Sequence, residues 1–295
     1  MNPNEAMLLF TAPTGGREEN DANNKAREKI IVDIFNKATY TEDTAFSPLV
    51  TGLYAWLSVM KYEHMTKEAF PTIKAVLRAG RHYNWDFDLN IGDRMLKMEF
   101  KFGATSVDTL PEFYNPAANK DFHQGESYAQ FFYRNYLTQV CAIYGVITTM
   151  TETEYVTKVH GTSKAPPLFK ALYDAEASGT GEQKKEKKAL VDASIAAWLT
   201  AVKDKTDIQE ITLALISSQA DKEFLLYKDG TFYSDRIRRE ELIITGVKGV
   251  RLGKYLVLQS AFPGTTHEML LRWKNHAGIL YPAWQISMKR ASVTQ

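Results

Sequence analysis

Between residues 84 and 104, in NWDFDLNIGDRMLKMEFKFGA, large apolar residues alternate with charged ones on both sides of a Gly-Asp pair. Alternation with a period of two describes strands that bury one face, and Gly92-Asp93 between them fits a two-residue hairpin loop. Pairing through that loop sets Ile91 opposite Arg94, Leu89 opposite Leu96 and Phe87 opposite Met98. Asp88 then faces Lys97, and Asp86 faces Glu99. One side carries Trp85, Phe87, Leu89, Ile91, Leu96, Met98, Phe100 and Phe102. The other carries Asp86, Asp88, Lys97, Glu99 and Lys101. With TIKAVLRAG ahead of it, the segment predicts a three-stranded meander.

The flanking pattern is helical. NNKAREKIIVDIFNKATY places Ile30, Ile31, Ile34 and Phe35 at 3/4 spacing, and LVTGLYAWLSVMKYEHMTKEAF runs as a second helix to Pro71. After the meander, SYAQFFYRNYLTQVCAIYG predicts an aromatic-rich helix, with Phe131, Phe132, Tyr133 and Tyr136 as packing residues. Two further helices are expected at about 189–203 and 207–220. The last 75 residues return to strands, beginning with KEFLLYKDGTFY and its Lys-Asp-Gly turn. No repeat of 20–50 residues is present. The expected class is mixed α+β or α/β, divided into a loose polar arm (1–22), a core (23–148), a linker or irregular insertion (149–188, with EASGTGEQKKEKK) and a closing section (189–295). That section comprises a helical pair and a β-rich extension completing the sheet.

Composition narrows the class. The chain has 295 residues, 44% apolar and 24% charged, with formal net charge +1. A core of one large or two ordinary domains fits that length. Any nucleic-acid site must be a local patch, because no global basic field exists. The single cysteine, Cys141, excludes an internal disulfide framework and a thiolate-only metal site. No segment reads as a membrane span or a secretion signal, so an intracellular protein, in cytoplasm or nucleus, is expected. Gly-rich phosphate loops, dinucleotide fingerprints and Ser-His-Asp signatures are absent, and the six histidines lack metal-ligand spacing. His82 alone lies near the meander.

The polar hairpin face raises the chemical question. A solvated sheet face would explain it, but Asp86 opposite Glu99 is a like-charge pair that destabilises unless a cation intervenes. Carboxylates converging beside a lysine form a hard oxygen site suited to Mg²⁺ or Mn²⁺.

An Asp on one strand followed by Glu-x-Lys on the next, as in Asp88 or Asp86 with Glu99 and Lys101 of MEFKFGA, resembles the PD-(D/E)xK (restriction-endonuclease-like) nuclease superfamily. EFKFGATSVDTLPEFYNP, SYAQFFYRNYL and LLRWKNHAGILYPAWQIS are also similar to uncharacterised members from large DNA viruses. The resemblance implies a core of helix, three strands, helix and strand. It implies a Mg²⁺-dependent deoxyribonuclease. Asp88 (or Asp86), Glu99 and the carbonyl of Phe100 would hold the metal, with Lys101 as catalytic lysine. Trp85-Asp86 stands where the family has Pro-Asp. Spacing favours Asp88 as the first carboxylate, while the two-residue turn favours Asp86. Asp93 reads as a turn residue.

Glu28, opposite the apolar stripe of its helix, resembles a glutamate that many members add to the site; Glu63 and Glu68 are lesser candidates. Gln124 and Tyr128 match a Q-x-x-x-Y spacing used for DNA contact. Phosphate contacts are expected from Arg236, Arg238, Arg239, Lys248, Arg251 and Lys254, and from Arg272, Lys274 and Lys289 on the final strands. KKEKK (184–188) reads as linker or helix start. The expected activity is restriction- or homing-like hydrolysis of duplex DNA, and a homodimer is compatible with it. The alternatives are an inactive DNA-binding or assembly module of the same fold, and a viral structural protein whose charged hairpin is merely solvated.

Overall fold

In a computed structural model of the chain, the described residues are 3–11, 17–36, 46–59, 73–78, 83–108, 122–160, 167–276 and 279–291. Glu63, Glu68, His64 and His82 lie outside them. The chain divides into two compact units. The first is Met1–Leu110 with Ser218–Arg238, and the second is Pro111–Ser217 with Arg239–Gln295.

The first unit begins with helices α1 (Pro3–Thr11), α2 (Arg17–Phe35) and α3 (Ser47–Val59), followed by strands β1 (Ile73–Leu77), β2 (Phe87–Ile91) and β3 (Arg94–Phe102). It is completed by β4 (Lys222–Lys228) and β5 (Thr231–Asp235). The sheet order is β1-β2-β3-β4-β5, with β3 and β4 parallel and the other neighbours antiparallel. Two tight turns set the antiparallel registers. Gly92 takes φ +56°, and Ile91 pairs with Arg94 as the hairpin reading requires. Asp229 and Gly230 both have positive φ, the requirement of a type I′ loop. A parallel pair needs a long crossover. Here the connection from β3 to β4 contains most of the second unit, entering β4 from helix α9 (Ile208–Gln219).

The apolar hairpin face is core. Phe87, Leu89, Leu96, Met98 and Phe100 pack with Ile30, Ile31, Ile34 and Phe35 of α2 and with Leu53 and Trp56 of α3. Gly52 lets α3 lie on β5, because a Cβ there would meet the Phe232 ring at 3.0 Å. The described part of the arm expected over 1–22 is instead helical and docked. Ala6 and Phe10 are buried, and buried Arg27 donates to the Leu9 carbonyl at 2.7 Å while stacking 3.6 Å from the Phe102 ring centre.

The second unit holds α4 (Tyr128–Phe132), a π turn (Tyr133–Leu137), α5 (Thr138–Ile143), α6 (Glu152–Val159), α7 (Pro167–Ser178), α8 (Gly181–Val202) and most of α9. Its sheet is an antiparallel meander of β6 (Ile244–Arg251), β7 (Tyr255–Ser260), β8 (Thr265–His276) and β9 (Ile279–Arg290). The expected boundaries therefore need correction. The core does not run from 23 to 148, because its sheet closes with residues 222–235. Residues 149–188 are not a linker, since their described part forms α6, α7 and the start of α8. Residues 244–290 form a separate sheet rather than completing the first. Three capping boxes, Ser127–Gln130, Thr151–Glu154 and Thr180–Gln183, explain where α4, α6 and α8 begin.

Candidate active site

The polar hairpin face resolves into two clusters. Asp88, which the spacing favoured as metal ligand, belongs to the structural one. It is 4% exposed, and its Oδ2 accepts from the Arg78 guanidinium (Nε at 2.7 Å). Its Oδ1 accepts from the indole N–H of Trp85, also at 2.7 Å. Both oxygens are thus occupied. Lys97 lies opposite Asp88 in the ladder. Its ammonium nevertheless pairs with Asp221 and lies 4.8 Å from the Trp85 ring centre. The assignment of Asp88 as first carboxylate is corrected by this network.

Asp86, the other candidate, is held differently. It sits just before β2, where Asp86 N–H bonds the Met98 carbonyl and the Asp86 carbonyl accepts from Arg78 N–H. These bonds extend the ladder and aim the side chain at β3, where Oδ2 accepts from Phe100 N–H at 2.7 Å. Phe100 therefore meets Asp86 through its amide. Glu99 and Lys101 share one side of β3, with Lys101 Nζ 2.7 Å from Glu99 Oε1. The other oxygen, Oε2, is 3.0 Å from Nζ of Lys222, a buried lysine at the start of β4. Glu28 of α2 lies close enough for the charges of Asp86 and Glu99 to oppose its ionisation.

The electrostatics follow from burial and crowding. Burial pushes Glu28 up to about 8, helped by the negative charges of Asp86 and Glu99. Burial and the Glu99 charge push Asp86 up to about 7, although the Phe100 amide pulls the other way. Burial would also raise Glu99, but the charges and hydrogen bonds of Lys101 and Lys222 hold it below the ordinary range. With all three carboxylates ionised, the two ammonium groups would leave one negative charge, so a cation favours their ionisation.

All are hard oxygen donors of the kind Mg²⁺ and Mn²⁺ take, and the raised acids show where positive charge is missing. In that sense the residues fit a divalent ion. Yet among the described residues no three His, Cys, Asp or Glu side chains already stand as a metal cage. Glu99 turns both oxygens to lysines instead.

A pH dependence follows. The folded values of Glu28 and Asp86 lie above their ordinary ones, 4.5 and 3.8. Their contribution to stability is therefore full below those ordinary values and is lost as pH rises through about 7 and 8. In EDTA, the melting temperature should fall as pH rises from about 4 to about 8 and level off above that, and Glu28→Gln should lessen the fall. Mn²⁺ affinity should rise over the same window, because the ion competes with protons. Calorimetric titration at several pH values checks this.

The other expected site residues scatter. Tyr128 is fully buried and bonded to Ser194 Oγ at 2.8 Å, so its place is the second unit's core rather than DNA contact; Gln124 is exposed. Arg236 and Arg238 belong to the first unit, where exposed Arg236 approaches Glu223 at 3.3 Å. Arg239, Lys248, Arg251, Lys254, Arg272, Lys274 and Lys289 belong to the second. Arg251 pairs with Glu268 at 2.8 Å. His123 and His267 are buried and His160 is half-buried, and desolvation pushes each down to about 4.

Two residues that the sequence did not single out complete the picture, Arg78 and Lys222. Arg78 ends the first strand of the meander, and extending that ladder could have found it. Lys222 is 123 positions from Glu99, and only the parallel β3–β4 pairing brings them together. No family model, curated protein or solved structure matched the chain. Among the described residues no helix is long and apolar enough to cross a membrane.

Proposed function

We propose that the first unit is a divalent-metal-dependent phosphodiesterase that cuts duplex DNA internally, in the manner of restriction or homing nucleases. The observation that carries this reading is the meeting of Glu28, Asp86, Glu99 and Lys101 on three separate elements, with two of the acids held near neutrality. Of the helix, three strands, helix and strand that the PD-(D/E)xK resemblance implies, α2 and β1–β3 follow in that order with α3 between them, whereas several helices of the second unit, α9 the last of them, lie between β3 and β4. Asp86, Glu99 and Glu28 would hold Mg²⁺ or Mn²⁺. When bound, the ion supplies the positive charge that polarises a phosphate and acidifies water. Lys101 stabilises the negative charge that develops on the phosphate oxygens. Lys222 keeps Glu99 ionised and fixed in direction.

A second reading is an inactive module of the same fold, favoured by the way both Glu99 oxygens are already held by lysines. End-labelled duplex DNA, single-stranded DNA and RNA of one sequence, each incubated with Mn²⁺ or with EDTA, separate the two. Cleavage of the duplex in Mn²⁺ alone is expected. Intact substrates in every lane would leave the inactive module.

A further inference from the structure

We propose that the second unit carries its own binding site for single-stranded polynucleotide, in the cleft between α8 and the end of its sheet. The cleft has a volume of about 430 Å³, within the roughly 300–1,000 Å³ of small-ligand sites. Five cations line it: Lys184, Lys187 and Lys188 of α8, Lys254 of the β6–β7 turn, and Arg272 of β8. Glu176 and Asp192 are its acids, giving +3 (5 − 2), whereas the whole chain carries only +1. The charge absent from the chain as a whole is concentrated here.

The arrangement follows from two local features. Lys184, Lys187, Lys188, Val191 and Ile195 recur at helical spacing, so one face of α8 carries ammonium groups leading onto aliphatic side chains. Opposite it, the β7 ladder stops at Tyr255–Leu270, while β8 continues beside β9 as far as His276. Leu271 and Trp273, past the end of that ladder, join Val191 as the apolar floor.

Lys184 and Lys188 are exposed, whereas the side chain of Lys187 is only 15% exposed. Lys188 pairs with Asp192 at 2.6 Å, with both side chains more than half exposed, an ion pair that adds little on its own. Lys187 meets Glu176 at 2.8 Å, and Lys184 donates to the Ala177 carbonyl at 3.3 Å. Exposed Lys254 forms no ion pair among the described residues; its ammonium lies 5.9 Å from the Tyr255 ring centre. A row of cations beside an apolar floor matches a strand with a charged backbone and flat bases. A simple anion would not use the floor. The inference stands apart from the phosphodiesterase reading, because none of Glu28, Asp86, Glu99 and Lys101 lines the cleft.

The test is fluorescence anisotropy of labelled dT20 with the full chain in EDTA, across a salt series. Wild type should bind with a log–log salt slope of up to about −3.5, five contacts at about −0.7 each for a single strand. K184E/K188E/K254E, substitutions at exposed positions whose folding circular dichroism verifies, should bind at least tenfold more weakly with a shallower slope. K184A/K254A should weaken binding less. Equal binding by wild type and the triple variant would overturn the proposal, as would absence of salt-dependent binding. Displacement of dT20 by poly-glutamate more readily than by unlabelled dT20 would also overturn it, in favour of an acidic peptide. Because no metal is present, failure to cleave DNA leaves this result unaffected.

Discussion

Asp86→Asn is expected to weaken Mn²⁺ binding by at least about 100-fold, whereas Asp88→Asn should leave it within a few-fold of wild type. Even residues that only orient ligands change metal affinity by about 10–100-fold, and Asp86 is assigned here as a direct ligand. Its pKa is raised, first by burial and then by the Glu99 charge, so a cation beside it would restore its ionised form. Asp88 has no such shortage. Its oxygens are engaged by Arg78 and Trp85, and its side chain is 6% exposed. The Asp88→Asn change removes the ionic part of that network, so its effect falls on stability, at about 1–3 kcal/mol. Arg78 is 32% exposed and water can compensate it, which favours the lower end. Calorimetric Mn²⁺ titration with urea unfolding of the same variants separates the two roles.

Glu99→Ala should be among the most destabilising single changes in the first unit, independent of any metal. It strands Lys222, whose side chain is 1% exposed and whose ammonium bonds Glu99 Oε2. Removing one member of a buried ion pair costs about 3–5 kcal/mol, because the remaining charge cannot rehydrate. Lys101, at 16% exposure, shares the loss but keeps some access to water. Glu99→Ala/Lys222→Met should recover most of the stability, since methionine fills the lysine's volume without its charge. Urea unfolding in EDTA of wild type, both single variants and the double variant gives the coupling. Additive losses would show that the pair does not hold Glu99.

The hairpin was legible in the sequence because its signal is local. Period-two alternation and Gly92-Asp93 fix the Ile91–Arg94 register, and with it the core face and the approach of Asp86 to Glu99. Glu28 was legible for the same reason, as the polar residue opposite a helical stripe. The choice between Asp86 and Asp88 was not, because it is decided by what each carboxylate finds. Arg78 comes from a neighbouring strand, Trp85 turns its indole back onto Asp88, and the Phe100 amide captures Asp86. Lys222 was hidden by a crossover holding a second unit, which no short-range pattern encodes. EASGTGEQKKEKK as a whole looked like linker because its charges mask an amphipathic start, whereas KKEKK, read as linker or helix start, lies at the start of α8. The Thr180–Gln183 capping box ahead of it was the available signal that a helix begins there.

We propose that Glu28, Asp86, Glu99 and Lys101 form a metal-dependent phosphodiesterase site. Conversion of supercoiled plasmid to nicked and linear forms in Mg²⁺ or Mn²⁺, with Asp86→Asn, Asp88→Asn and Lys101→Ala beside wild type, is the decisive assay. Wild type and Asp88→Asn should cleave, and Asp86→Asn and Lys101→Ala should lose activity by at least about 100-fold. Equal cleavage by all four proteins, or an Asp88→Asn variant that folds and binds Mn²⁺ yet is the inactive one, would contradict it.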